Sequence, residues 1–308
     1  MTLRILDGKQ IADEIKAEVA REVKELIHQG TRPPQLTAVL VGENPASRVY
    51  VKNKGHTAEE LGIESATIHL PETTPTELLL EEVRRLNRDD EVDGILVQLP
   101  LPRIINADQI LDEIDVKKDV DGIHPANLGR LVLGQPCLEP CTPAGIIQIL
   151  ERSGIRIAGV RACVLGRSRI VGKPVAAMLL NRHATVTICH SKTPELASVT
   201  READILIAAI GRPGFVTGDM IGPGATVIDV GINEISSQTD LARFFDGEEL
   251  ERRSVVVARK GRTLVGDVEW KSAIAVAGLI TPVPGGVGLL TIAMLMKNVL
   301  EARKAKGR

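Results

Sequence analysis

The feature that most constrains this chain is an alternation of short apolar runs with helix-period segments, which starts, breaks and starts again along 308 residues. Apolar positions from Ile11 to Ile27 recur at helical spacing, and Gln35 to Val41 (QLTAVLV) reads as a strand. Arg48 to Leu61 reads as a helix ended by Gly62, Ile63 to Leu70 as a second strand, and Thr76 to Asn87 as a helix. Gly94 to Gln98 (GILVQ) is a buried strand running into Leu99-Pro100-Leu101-Pro102. Proline fixes φ and lacks an amide donor, so neither a helix nor a central strand continues through that run. The alternation dictates an α/β fold, a parallel sheet with crossover helices.

The break lies between Asp119 and Thr142, a stretch interrupted by Gly, Pro and Asn. Pro140-Cys141-Thr142-Pro143 predicts a helix start with Thr142 as cap and Pro143 at the first helical position, the helix running to Ser153. Four short apolar strands follow, Ala162 to Leu165, Thr185 to Cys189, Ile205 to Ile210 and Thr226 to Val230, in the manner of a dinucleotide-binding sheet. Two domains suit this length better than one core.

Composition narrows the function classes. A net charge of -2 supplies no field towards nucleic acid or membrane. The basic tail Glu301 to Arg308 reads as a solvated helix end. Met1 to Gln10 holds no apolar signal core, and no run approaches membrane-spanning length. Cys137 and Cys141 have no second Cys or His pair at zinc spacing, and Cys163 and Cys189 fall in apolar strands where a thiol acts as a small hydrophobe. His56, His124, His183 and His190 show no metal spacing. A reduced cytoplasmic setting without a metal is expected.

Gly166-Arg167-Ser168-Arg169-Ile170-Val171-Gly172-Lys173-Pro174 joins the first strand of the second block to a helical run from Val175 to Asn181. A glycine turn at a helix N-terminus lets backbone amides approach a pyrophosphate. The match to G-x-G-x-x-G is imperfect, since Ser168 replaces the second glycine and Gly172 comes one residue late. A tight connection with no ligand remains open. The second strand ends Cys189-His190-Ser191-Lys192, with no acid before Glu195, where an NAD-selecting site holds the ribose hydroxyl with Asp or Glu. Ser191, Lys192, Arg167 and Arg169 therefore favour NADP, unless Ser191 and Lys192 are only exposed loop. Ile232, just past Asp229-Val230-Gly231, stands where such sheets meet a cofactor. Asp267 reads as structural or loosely cofactor-adjacent.

Tyr50 and Lys54, four apart, share one helix face, and Tyr50 is the one tyrosine of the chain. Alone the pair could be a snorkelling surface pair. Together with Ser47-Arg48-Val49-Tyr50-Val51-Lys52-Asn53-Lys54, however, come Asp93 to Pro102, Lys118-Asp119-Val120-Asp121-Gly122, Pro140 to Pro143, the Gly166 turn, and Thr281-Pro282-Val283-Pro284-Gly285-Gly286-Val287-Gly288. In order and spacing these motifs resemble the bifunctional methylenetetrahydrofolate dehydrogenase/cyclohydrolase family.

The resemblance implies two α/β domains. The first, residues 1–140 completed by 280–308, would be the folate-binding catalytic domain, and residues 141–279 the Rossmann-like NADP domain. The last helix, here Leu290 to Ala305, would return to the first. Lys54 would be the acid/base of the hydrolytic step, a role lysine fills when desolvation or a nearby cation lowers its pKa. Gln98 would orient Lys54, Asp121 would accept hydrogen bonds from the pterin, and Tyr50 would stack on the folate. Pro282, Gly285 and Gly286 would line the site, while Gly166, Arg167, Ser168, Ser191 and Ile232 would hold NADP. Structural alternatives stand beside these roles: Gln98 as a strand end, Asp121 as part of a turn, and the Pro282 to Gly288 segment as a stiff crossover. One departure is Leu289, where the family usually has proline.

The implied activity is oxidation of 5,10-methylenetetrahydrofolate by NADP, then hydrolysis of the methenyl product to 10-formyltetrahydrofolate. A cytoplasmic homodimer is implied, with no nucleic-acid or membrane partner, supplying one-carbon units to purine, methionine and histidine biosynthesis. Two rivals remain: a dehydrogenase of this family without the hydrolytic activity, and a folate or nucleotide sensor without turnover.

Overall fold

The computed structural model describes residues 3–306. Among them eleven strands follow in chain order: β1 (Arg4–Ile5), β2 (Gln35–Val41), β3 (Glu64–Leu70), β4 (Gly94–Val97), β5 (Arg161–Leu165), β6 (Thr185–Cys189), β7 (Ile205–Ala208), β8 (Thr226–Asp229), β9 (Asn233–Ile235), β10 (Thr263–Val265) and β11 (Leu279–Ile280). They form a three-stranded parallel sheet in the order β3-β2-β4, a six-stranded parallel sheet in the order β1-β11-β8-β7-β5-β6, and an antiparallel β9–β10 ribbon. Twelve α-helices connect them among the described residues.

The chain divides into two compact units: the chain up to Ile11 with Thr142–Thr291, and Ala12–Cys141 with the chain from Ile292 on. Sequence reasoning grouped the first residues with the N-terminal block. In the structure the amides of Arg4 and Leu6 donate to the carbonyls of Gly278 and Ile280, which adds β1 to the edge of the six-stranded sheet.

Burial explains the strand order. β7 and β8 are buried throughout and lie inside the larger sheet, as strands covered on both faces must. β6 exposes Thr185, Thr187 and Ile188 and is an edge. In the smaller sheet β2 is buried from Leu36 to Val41 and lies between its two neighbours. Leu79, Val83 and Leu86 of the helix Thr76–Arg88 close one face of that sheet against Val39, Ile95 and Val97.

Helix starts differ from the sequence expectation wherever a cap decides them. The first helix opens at Gly8 because the Asp7 carboxylate accepts from the amides of Lys9 and Gln10 at 2.9 and 3.1 Å. The second opens at Pro45, where Asn44 Oδ1 accepts from Ser47 N at 3.1 Å. The helix expected from Thr142 starts at Cys141, so Thr142 is not its cap; its hydroxyl lies 3.0 Å from that of Thr291. The strands expected to reach Gln98, Ile210 and Val230 stop at Val97, Ala208 and Asp229. The last helix runs Val287–Lys306. Its end is more than solvated: Lys306 Nζ lies 3.0 Å from the buried Asp93 carboxylate, and Arg32 Nη1 lies 2.6 Å from it. Gly307 and Arg308 lie outside the described residues.

Candidate active site

In the three-stranded unit, the helix Pro45–Glu60 presents Tyr50 and Lys54 one turn apart. Tyr50 is 40% exposed and Lys54 only 8%. Backbone pairing sets the partner of Lys54: β2 holds β4 in register, and Gln98 N donates to Val39 O at 2.9 Å, which fixes the first residue beyond β4. From there Gln98 Oε1 accepts from Lys54 Nζ at 3.0 Å, and Gln98 Nε2 donates to Leu99 O at 2.6 Å. The amide is thus oriented at both ends, with its oxygen towards the lysine.

Asp121 completes the cluster. Burial pushes its carboxyl above the ordinary range, the nearby Lys54 charge pulls it back, and Asp119 adds a smaller upward push. The turn that carries Asp121 is clamped: Asn298 Nδ2 donates to Val120 O and Glu139 O, both at 2.8 Å, and Cys141 N donates to Asp121 O at 3.3 Å. Gly122 has φ +71°, and a Cβ there would meet the Glu139 carbonyl carbon at 2.4 Å, so this turn requires glycine. A separate cavity of about 730 Å³ opens beside Gly42, Asn44, Pro100 and Ile104; none of the predicted site residues lines it.

In the six-stranded unit, the imperfect glycine motif resolves into a working turn. A Cβ on Gly166 would meet the Ala209 carbonyl oxygen at 2.1 Å, and φ is +124°. Gly172 packs on the Gly166 carbonyl, where a Cβ would sit 2.3 Å from the oxygen, and it opens the helix Gly172–Asn181. Ser168 Oγ accepts from the amides of Val171 and Gly172 at 3.1 and 3.2 Å, so the hydroxyl in place of the second glycine tethers the helix start. Gly166, Arg167, Ser168 and Ser191 line one cavity of about 320 Å³, with His190 and Arg212. Ile232 is not on that cavity; it is 48% exposed, beyond β8.

Pro282, Gly285 and Gly286 follow β11 in the same unit. A Cβ on Gly286 would meet Pro282 O at 2.6 Å, Gly285 has φ +110°, and Arg253 Nη2 donates to Val283 O at 2.9 Å. Leu289 is the third residue of the helix Val287–Lys306 and 36% exposed. In a first helical turn the amide has no intrahelical partner, so leucine and proline are both accommodated there.

Asp267, expected to be structural or loosely cofactor-adjacent, is a backbone anchor, and Asp229, which sequence reasoning named without a role, is a second. Asp267 Oδ2 accepts from Ile210 N and Gly211 N at 2.7 and 2.9 Å, and Oδ1 from Arg212 N at 2.8 Å and Asn233 Nδ2 at 3.0 Å. Asp229 accepts from the amides of Gly231, Asp267 and Val268. Burial pushes the Asp229 carboxyl up to about 7, against three amides that favour the anion. The sequence signal was the pair of glycines at 231 and 266, whose missing Cβ atoms leave room for these carboxylates.

Fold and site together define a class: a two-unit α/β enzyme with a dinucleotide cradle on its larger parallel sheet. The family follows from direct comparison. Residues 6–121 match the catalytic domain of tetrahydrofolate dehydrogenase/cyclohydrolase, and residues 140–307 match the NAD(P)-binding domain of the same enzymes. The chain belongs to the tetrahydrofolate dehydrogenase/cyclohydrolase family. The bifunctional protein FolD of Koribacter versatilis is 53% identical over 306 residues, covering 99% of this chain and 98% of the relative. That of Moorella thermoacetica is 53% identical over 304 residues, covering 99% and 100%. Among solved structures, the bifunctional enzyme FolD of Campylobacter jejuni is 42% identical with a TM-score of 0.87, covering 99% and 100% of the two chains. The Trypanosoma brucei enzyme, complexed with NADP cofactor and an inhibitor, is 37% identical with a TM-score of 0.89, covering 100% and 99%.

Proposed function

We propose that the chain oxidises 5,10-methylenetetrahydrofolate to the methenyl form with NADP, then hydrolyses that product to 10-formyltetrahydrofolate. The observation that carries the residue assignment is the buried Lys54 amine, 3.0 Å from an uncharged Gln98 oxygen and within the field of Asp121. The family and its bifunctional relatives support the pair of reactions.

The bridging methylene carbon of the substrate lies between two nitrogens whose lone pairs drive hydride departure, so the first step needs orientation more than a protein base. NADP, when bound, supplies a nicotinamide ring that accepts the hydride. Its fit rests on the bare backbone at Gly166, the helix start tethered by Ser168, and Arg167 and Ser191 on the same cavity. Ile232 contributes from the end of β8. In the second step water adds to the methenyl carbon, and Lys54 moves protons between that water and the ring nitrogen that leaves. Gln98 holds the amine in place without adding charge. Asp121 accepts from the pterin N–H groups, and the Lys54 charge favours its ionised, accepting form. Tyr50 stacks on the folate. Substrate contacts by Pro282, Gly285 and Gly286, a cytoplasmic homodimer, and supply of purine, methionine and histidine biosynthesis complete the proposal, supported by the family resemblance.

The test is a steady-state assay with methylenetetrahydrofolate and either NADP or NAD. NADPH should form while methenyltetrahydrofolate fails to accumulate, with NAD a poorer acceptor. Reduction of neither cofactor would overturn the reading.

A further inference from the structure

The dinucleotide cavity has a wall that the phosphate-binding groups leave unassigned. Arg212 and Phe215, in the loop leaving β7, line it together with Gly166, Arg167, Ser168 and Ser191. The Arg212 guanidinium carbon lies 4.6 Å from the centroid of the Phe215 ring, over its face. The backbone beneath is fixed, since the fully buried Asp267 carboxylate accepts the amides of Ile210, Gly211 and Arg212 in succession. Arg212 therefore stands on a rigid pedestal, with its flat face set by an aromatic ring.

In a sheet of this kind the pyrophosphate lies at the first glycine turn and the adenosine ribose at the end of the next strand. Those places are the Gly166 turn and Ser191. A purine held there by stacking needs a planar side chain on the same cavity. This chain is 2% aromatic. Phe244 and Phe245 are buried in a separate core that Trp270 packs against, and Tyr50 belongs to the other unit. The planar groups that line the cavity are Arg167, His190, Arg212 and Phe215, and Arg167 belongs to the phosphate-binding turn itself. His190 is engaged in its own turn, where its ring Nδ1 accepts from Lys192 N at 3.2 Å.

We infer that Arg212, backed by Phe215, is the adenine-stacking residue of the cofactor site, an inference that rests on the assignment of NADP above. The purine lies on the guanidinium plane, and the 2′-phosphate is left to Arg167 and Ser191. Arg212 thus secures adenine dinucleotides in general and leaves the choice between NADP and NAD to other residues.

Calorimetric binding of 5′-AMP and 2′,5′-ADP to the full chain tests this without catalysis. Arg212→Ala should weaken both nucleotides by the same factor, roughly three- to tenfold. Arg212→Lys, which keeps the charge and loses the plane, should weaken both as well. Loss confined to 2′,5′-ADP, or rescue of that nucleotide alone by lysine, would make Arg212 a phosphate contact and overturn the inference. Unchanged affinity for both nucleotides in Arg212→Ala would overturn it too. Failure of the wild-type chain to bind either nucleotide would instead overturn the NADP assignment and the inference with it. Thermal melting of each variant checks that the exposed substitution leaves the fold intact.

Discussion

At the residue scale, the proposed folate site depends on how one carboxyl is held. Burial raises Asp121 above the ordinary carboxylate range and Lys54 opposes the shift. As pH falls through that raised value the carboxyl takes a proton and ceases to be a pure acceptor. The KM for folate should therefore rise on the acid side in the wild type. Asp121→Asn should raise it about 10- to 100-fold at neutral pH, lose the acid-side rise, and leave affinity for 2′,5′-ADP unchanged. Steady-state kinetics across pH would show this, and a pH-independent wild-type KM would count against Asp121. Tyr50, Lys54, Gln98 and Asp121 stand out in the sequence because they fall in family motifs, and the structure brings Lys54 to Gln98 and near Asp121. Asn298 was not. Its part is to hold two carbonyls 178 and 159 positions away in sequence, and an asparagine inside a helix run carries no local mark of that.

At the element scale, the strand–turn–helix from β5 to Asn181 carries the proposed cofactor site. Its strand and turn were readable because the apolar run and the two glycines are local signals. The role of Ser168 was not, because a hydroxyl that tethers a helix start looks like any loop serine until the amides of Val171 and Gly172 are seen on it. Gly166→Ala places a Cβ against the Ala209 carbonyl at a φ of +124°. It should lower the melting temperature and reduce 2′,5′-ADP affinity more than tenfold, while methenyltetrahydrofolate hydrolysis, measured alone, survives. Nucleotide titration and a hydrolysis assay on one preparation would test both halves of that expectation.

The loops after β7 and β8 hang on Asp267 and Asp229, and Asp229 makes their stability pH-dependent. Its carboxyl is raised from 3.8 to about 7 in the folded chain. Between those values the folded state holds a proton that the unfolded state has released, so rising pH favours unfolding across that window and levels off above it. Relative to Asp229→Asn, which does not titrate, the wild type should lose melting temperature from about pH 4 to about pH 7 and then run parallel. A constant difference across the range would mean that Asp229 is not the titrating group.

At the scale of the whole molecule, β/α alternation made both parallel sheets legible, and each long strand fell within a residue or two of its place. The parts that escaped depend on distant pairing. β1 and β11 are two residues each and exist because Arg4 faces Leu279 and Leu279 faces Thr226. The β9–β10 ribbon and the helices Gln238–Phe244 and Gly247–Lys260 are held by a small core around Leu241, Phe244 and Phe245 that periodicity alone does not reveal. Lys306 was read as solvated because nothing nearby in sequence shows that it meets Asp93.

In the proposed function one chain performs two successive reactions, and Lys54 serves the second. The direct measurement is turnover of methylenetetrahydrofolate with NADP by wild type and Lys54→Ala, following NADPH and methenyltetrahydrofolate separately. The variant should still bind 2′,5′-ADP as the wild type does, while hydrolysis of methenyltetrahydrofolate falls by about a hundredfold or more and the intermediate accumulates whenever NADPH forms. Hydrolysis at the wild-type rate in Lys54→Ala would show that Lys54 does not serve the second reaction.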